Sequence, residues 1–157
     1  MRGAWAVNEA SGQAPVALVV DDDAQLRHLV AAVLERHGAT VFTAGSAADA
    51  LALMRSRDEA FDIIVTDVQM GRGLNGIELV EQIRRSRPGI AVLVISGEAD
   101  WRQETAQKSM PFLMKPFSVR NLMERVEELL GRPLPVPPER KGPESAERVC
   151  KSGDSAA

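Results

Sequence analysis

The chain reads as an α/β protein built on a doubly wound parallel sheet of five βα units, (βα)5. Between Val16 and Leu130, short apolar runs of strand length alternate with segments whose apolar residues recur at helical spacing, which is the pattern of repeated βα units. The first run, Val16-Ala17-Leu18-Val19-Val20, is apolar on both faces, as a central parallel strand must be. The runs also finish in polar residues: Asp21-Asp22-Asp23, Thr43, Asp67, Ser96 and Lys115. Open parallel sheets bind ligands beyond the carboxyl ends of their strands. Carboxylates, hydroxyls and an ammonium are therefore expected to meet in one crevice.

The elements follow in order. Val16 to Val20 is the first strand. Leu26, Leu29, Val30, Val33 and Leu34 then share one face at helical spacing, and Gly38 stops that helix. Thr40 to Ala44 is the second strand. Ser46 caps a helix whose Ala47, Ala50, Leu51 and Met54 point inward. Asp62 to Thr66 is the third strand. The Gly-rich turn Gly71 to Gly76 leads into a helix that Asn75 and Glu78 open as a capping box. Ile90 to Ile95, the most hydrophobic run, is the fourth strand. Gly97 to Ser109 has weak helical periodicity and no clear apolar stripe, so a fourth helix is expected to be short, shifted or partly unfolded. Phe112 to Met114 is the fifth strand, and the last helix runs from Ser118 with Val119, Leu122, Met123, Val126 and Leu130 on its buried face.

The 157 residues suit one domain with flanking segments. Residues 1–14 are expected to be a flexible N-terminal extension, 15–131 the domain, and 132–157 a disordered tail. That tail holds five of the nine prolines and little that could be buried. Hydrophobic content of 45% and charged content of 26% are those of a soluble globular protein. A formal charge of -3 gives no polyanion-binding signal, so no direct nucleic-acid contact is expected. The apolar stretches are too short to span a bilayer, and no membrane contact is expected. A single cysteine, Cys150, precludes an internal disulfide and suits a reducing, cytoplasmic compartment.

Four motifs arrive in chain order: Leu18-Val19-Val20-Asp21-Asp22-Asp23, Ile63-Ile64-Val65-Thr66-Asp67-Val68-Gln69-Met70, Val94-Ile95-Ser96-Gly97, and Phe112-Leu113-Met114-Lys115-Pro116-Phe117. Together they resemble the receiver domain of two-component response regulators, the CheY-like superfamily, and are similar to the receivers of hybrid histidine kinases. The resemblance implies a flavodoxin-like sheet of strand order 2-1-3-4-5. It implies that Asp67 accepts a phosphoryl group from the phosphohistidine of a histidine kinase or histidine phosphotransfer protein. It also implies Mg²⁺ held by Asp21, Asp22, Asp67 and the backbone carbonyl of Gln69. Mg²⁺ takes oxygen ligands and usually only one or two protein carboxylates beside phosphate. Lys115 and Ser96 would contact phosphoryl oxygens, Ser96 and Phe112 would form a switch, and the Lys115-Pro116 bond would be cis. The chain would then signal through a downstream protein rather than an attached output domain, without acting as an enzyme on other molecules. The face formed by the fourth helix, fifth strand and fifth helix would serve dimers or output.

Other readings stand beside these. Asp22 or Asp23 is equally suited to cap the first helix, with Gln25 completing a capping box, and Ser96 and Lys115 taken singly read as solvated surface groups. Their joint placement at the ends of four strands favours a site. Trp101 and Met110 read as packing or loop residues, and His28 and His37 as helix-surface histidines. An Asp-nucleophile phosphatase would carry Asp-x-Asp-x-Thr after the first strand, but Gln25 occupies the Thr position. A receiver-like binding module that is never phosphorylated is the nearer alternative, with the phosphatase the less favoured one.

Overall fold

The computed structural model describes residues 14–57 and 61–131. The proline-rich tail with Cys150 and all but the last residue of the expected N-terminal extension lie outside the described residues. Five strands, β1 (Val16–Val20), β2 (Thr40–Ala44), β3 (Ile63–Asp67), β4 (Ala91–Ser96) and β5 (Phe112–Met114), alternate with helices α1 (Ala24–Arg36), α2 (Ala47–Ser56), α3 (Gly76–Ser86), α4 (Trp101–Gln107) and α5 (Val119–Leu130). All strand pairings are parallel and the order is β2-β1-β3-β4-β5. This is the parallel (βα)5 sheet that the alternation of patterns predicts, in the flavodoxin-like strand order that the resemblance implies.

Successive strand side chains face opposite sides of the sheet, and the core divides accordingly. Leu18, Val20, Ile64, Val92 and Val94 pack against α2 and α3 through Ala50, Met54, Ile77, Val80 and Ile83. Ala17, Val19, Ile63, Val65, Leu93 and Ile95 pack against α1 and α5 through Val30, Leu34, Leu122, Met123 and Val126. Helix ends are set locally. Ser46, Asn75 and Ser118 cap α2, α3 and α5, with the Asn75–Glu78 capping box complete. Gly38, at φ 91°, takes the left-handed conformation just past α1.

Several expectations change in detail. Leu29 and Val119 are 54% and 50% exposed rather than buried. Leu29 lies one residue, about 100° of rotation, behind the buried stripe that starts at Val30, and Val119 is the first residue of α5. Strands β3 and β4 begin one residue later than their apolar runs suggest. Asp62 instead brackets the start of β1, donating its N–H to the Val16 carbonyl and accepting the Val16 N–H on its carboxylate. Asp23, not Asp22, caps α1, and it accepts from the Gln25 and Leu26 N–H groups without a capping box. Met110 is buried, while His37 is half-buried with its Nδ1 2.8 Å from the Val33 carbonyl oxygen.

The fourth helix forms, but it is seven residues long. Its cap position, Asp100, makes no side-chain cap bond, and its one buried residue is Thr105. It is held from α3: Arg84 donates to the carbonyls of Lys108 (3.0 Å) and Ser109 (3.1 Å), and Lys108 pairs with both Glu81 and Glu104. Ser109 adopts φ 54° at this turn.

Candidate functional site

The carboxyl ends of β1, β3, β4 and β5 bring the expected chemistry together. Oxygen atoms of Asp21, Asp22 and Asp67 lie within 4.8 Å of one another. The Lys115 ammonium reaches between two of them, 3.4 Å from Asp67 Oδ2 and 3.6 Å from Asp21 Oδ2. Asp21 and Asp67 are buried and Asp22 is exposed, so the cluster opens to solvent on the Asp22 side.

Each group is aimed by backbone. Asp67 Oδ1 accepts the Val68 N–H at 2.9 Å, which leaves Oδ2 facing Lys115. Asp21 Oδ1 accepts the Asp23 N–H at 2.9 Å. The sheet register pairs Asp67 with Ile95, one residue before Ser96, and the Val68 N–H extends the ladder to the Ile95 carbonyl. Lys115 follows β5 directly and donates its N–H to the Ser96 carbonyl at 2.9 Å, tying the ammonium-bearing residue to the end of β4. The Lys115-Pro116 peptide is cis. Gly76 makes the tightest junction. Its N–H donates to the Val68 carbonyl at 2.8 Å, and a Cβ at this position would lie 1.9 Å from the Asp67 carbonyl oxygen. Only glycine lets α3 start this close to β3.

Burial raises the pKa of Asp67, with Lys115 opposing the shift and the neighbouring Asp21 carboxylate adding to it. Burial likewise raises Asp21; the Asp23 N–H and Lys115 oppose this, and the charges of Asp22 and Asp23 add to it. Close carboxylates destabilise one another's ionised forms, and one ammonium offsets this only in part. A hard divalent cation is the species such a donor set fits, since carboxylate oxygens and open water positions are its preferred environment.

The remaining expected residues are placed as follows. Ser96 is buried at the end of β4, and its hydroxyl oxygen accepts the Glu98 N–H at 3.1 Å. Gln69 is exposed two residues after Asp67, and its side-chain amide donates to the Glu98 carboxylate at 3.0 Å. Phe112 is half-buried at the start of β5, against the core and beneath the Arg102 guanidinium, 5.9 Å from its ring centre. Thr43 does not join the crevice. It lines a groove of about 540 Å³ between α1, β2 and α2 with Arg27, Gly45 and Asp49. Arg27 and Glu98 are neighbours of the site that sequence reasoning missed. An arginine one turn past a cap is the only signal for the first, and nothing marks the second.

The sequence profile described as "response regulator receiver domain" matches residues 17–127. The chain belongs to this family. It is 37% identical over 127 residues to the sensor kinase CckA of Brucella abortus, an alignment covering 79% of this chain and 13% of that protein. It is 34% identical over 117 residues to the transcriptional regulatory protein ResD of Bacillus subtilis, covering 73% of this chain and 48% of that one. The chain thus spans less than half the length of either. Among solved structures, the response regulator TrrA of Thermotoga maritima, in complex with Mg²⁺-BeF, aligns with a TM-score of 0.66 and 25% identity, covering 73% of this chain and 98% of that one. The receiver domain of the hybrid histidine kinase CckA aligns with a TM-score of 0.62 and 27% identity, covering 73% and 98%. The receiver of this chain is thus a module of two-component signalling. No helix among the described residues is long and apolar enough to cross a membrane.

Proposed function

We propose that this receiver is a phosphorelay acceptor in which Asp67 takes a phosphoryl group from the phosphohistidine of a histidine kinase or phosphotransfer protein. The observation that carries the reading is the position of Lys115, between Asp67 Oδ2 and Asp21 Oδ2 in a cluster of three carboxylates. Asp67 Oδ2 is the oxygen without a backbone donor, and it forms the new P–O bond as the P–N bond of phosphohistidine breaks; the bonding pair stays on that nitrogen, and the ring, protonated on its other nitrogen, leaves as neutral imidazole. Asp21, Asp22, Asp67 and the Gln69 carbonyl would hold Mg²⁺, which would supply positive charge to the phosphoryl oxygens. Lys115 stays within reach of Asp67 and provides fixed positive charge to one phosphoryl oxygen. The Ser96 hydroxyl turns from the Glu98 N–H to donate to another. Contacts made only in the phosphorylated form bias the conformation toward it, and Phe112, lacking a hydroxyl, follows by packing. Signal leaves through a partner protein in the cytoplasm, with the α4-β5-α5 face as the docking or dimer surface and without turnover of a separate substrate.

The test is intact-protein mass after incubation with acetyl phosphate, with and without Mg²⁺, on wild type and Asp67→Ala. A Mg²⁺-dependent gain of one phosphoryl group in wild type alone is expected. Equal gain in the variant sinks the assignment of Asp67, and a wild type that neither gains mass nor binds Mg²⁺ points to the non-phosphorylated binding module.

A further inference from the structure

We infer that Arg27 is a positioning residue for the metal carboxylates, acting through the peptide that joins Asp21 to Asp22. The inference rests on the Mg²⁺ assignment above. Arg27 lies in the first turn of α1, with its N–H on the Asp23 carbonyl at 2.9 Å. Its side chain folds back over the end of β1, and Nη1 donates to the Asp21 carbonyl at 2.7 Å. At this point the sheet ladder runs out. The Asp21 N–H still pairs with the Ala44 carbonyl, and the Asp21 carbonyl takes the guanidinium as its partner.

The plane of that peptide is shared by both residues. Fixing the Asp21 carbonyl fixes ψ of Asp21 and φ of Asp22 together, and hence the directions in which the two carboxylates leave the backbone. A charge-assisted bond is the strong kind of anchor for such a plane. Asp21 has a second tether through the Asp23 N–H. For Asp22 no side-chain hydrogen bond is recorded among the described residues, so the orientation of its peptide matters more for its carboxylate.

Gly45 completes the arrangement. A Cβ there would lie 3.2 Å from Arg27 Nη1 and 3.9 Å from the guanidinium carbon, so the side chain passes flat over a glycine at the β2–α2 turn. An alanine at position 45 obliges the guanidinium to give way by a few tenths of an ångström. Partners one step removed from a metal commonly change its affinity by about 10- to 100-fold.

The experiment is calorimetric titration of the full chain with Mg²⁺ alone, beside thermal unfolding without Mg²⁺, for wild type, Arg27→Ala, Arg27→Lys and Gly45→Ala. Arg27→Ala is expected to weaken Mg²⁺ binding by about ten-fold. Arg27→Lys, which keeps a donor and a charge, should recover part of that loss. Gly45→Ala, which keeps the arginine but crowds its guanidinium, should lose several-fold in affinity with little change in unfolding temperature. If Mg²⁺ affinity stays within two-fold of wild type in both Arg27→Ala and Gly45→Ala, the positioning role is overturned. If Arg27→Lys binds no better than Arg27→Ala, the donor at the Asp21 carbonyl is not what matters, and the inference fails equally. A wild type that binds no Mg²⁺ overturns instead the metal assignment on which it rests.

Discussion

Gly76 offers the most direct test of how the site is held. Alanine there would place Cβ 1.9 Å from the Asp67 carbonyl oxygen, 2.8 Å from the Asp67 carbonyl carbon and 3.1 Å from Thr66 Oγ1. Carbon and carbonyl oxygen approach no closer than about 3.3 Å even in favourable C–H···O contacts. The start of α3 and the end of β3 must therefore separate by roughly 1.4 Å. Two of the three clashing atoms are backbone, so no rotamer change relieves them. The displacement strains the 2.8 Å bond from the Gly76 N–H to the Val68 carbonyl and carries Asp67 with it. Overpacking of a rigid junction destabilises by about 3 kcal/mol at the upper end of its usual range. With a urea dependence near 1.5 kcal/mol/M, that lowers the unfolding midpoint by about 2 M. Gly89 is the control: a Cβ there meets nothing within 4 Å and its φ is not positive, so Gly89→Ala should be neutral or stabilising by about 0.5 kcal/mol. A Gly76→Ala midpoint within about 0.3 M of wild type, at unchanged slope, would refute the claim that this approach fixes the acceptor strand.

Three further outcomes are expected. Asp67→Asn should raise the melting temperature of the Mg²⁺-free protein at pH 7. The folded-state pKa of Asp67 lies above its ordinary value of 3.8, so the fold favours the protonated carboxyl, and the stability this contributes is lost as pH rises through the folded value. The difference between variant and wild type should shrink as pH falls toward 3.8, and a difference that grows instead would contradict the burial argument. Lys115→Met removes a cation that competes for Asp67 Oδ2 and should tighten Mg²⁺ binding by about five-fold, the ~1 kcal/mol of a partly solvated ion pair, while slowing phosphorylation by acetyl phosphate; weaker Mg²⁺ binding in calorimetry would count against it. Ser109→Gly relieves a positive φ of 54° and should stabilise by about 0.5–1 kcal/mol, measured as a higher urea midpoint.

Most of the sheet was legible because each strand is a short apolar run followed by a helix stop or cap, and consistent local signals of this kind specify a fold. The acidic cluster and Lys115 were legible for the same reason, as polar residues placed where apolar runs end. What escaped was set by tertiary distance. Periodicity gives the direction of Leu29 and Val119 but not how far the covering layer extends, so both were expected inside and lie outside. Strand ends slipped by one residue because Asp62 and Ile90 lie beside apolar runs whose ladders start one residue later. The α4 segment has no stripe to read, since it buries Thr105 and packs Trp101 against the core without an apolar repeat, and is otherwise held by Arg84 and Lys108 at the surface. Arg27 and Gly45 meet only because β1 and β2 are neighbours, which no local pattern states.

The division of the core by the sheet has a consequence for how the domain tolerates change. Val19 and Val20 are adjacent in the chain, yet their side chains belong to different packed clusters, one shared with α1 and α5 and the other with α2 and α3. Substitutions that share no partner tend to act additively. Substitutions beneath α1 and α5 are therefore expected to add to well-separated ones beneath α2 and α3, and the row of strand ends is where both layers bear on the same chemistry.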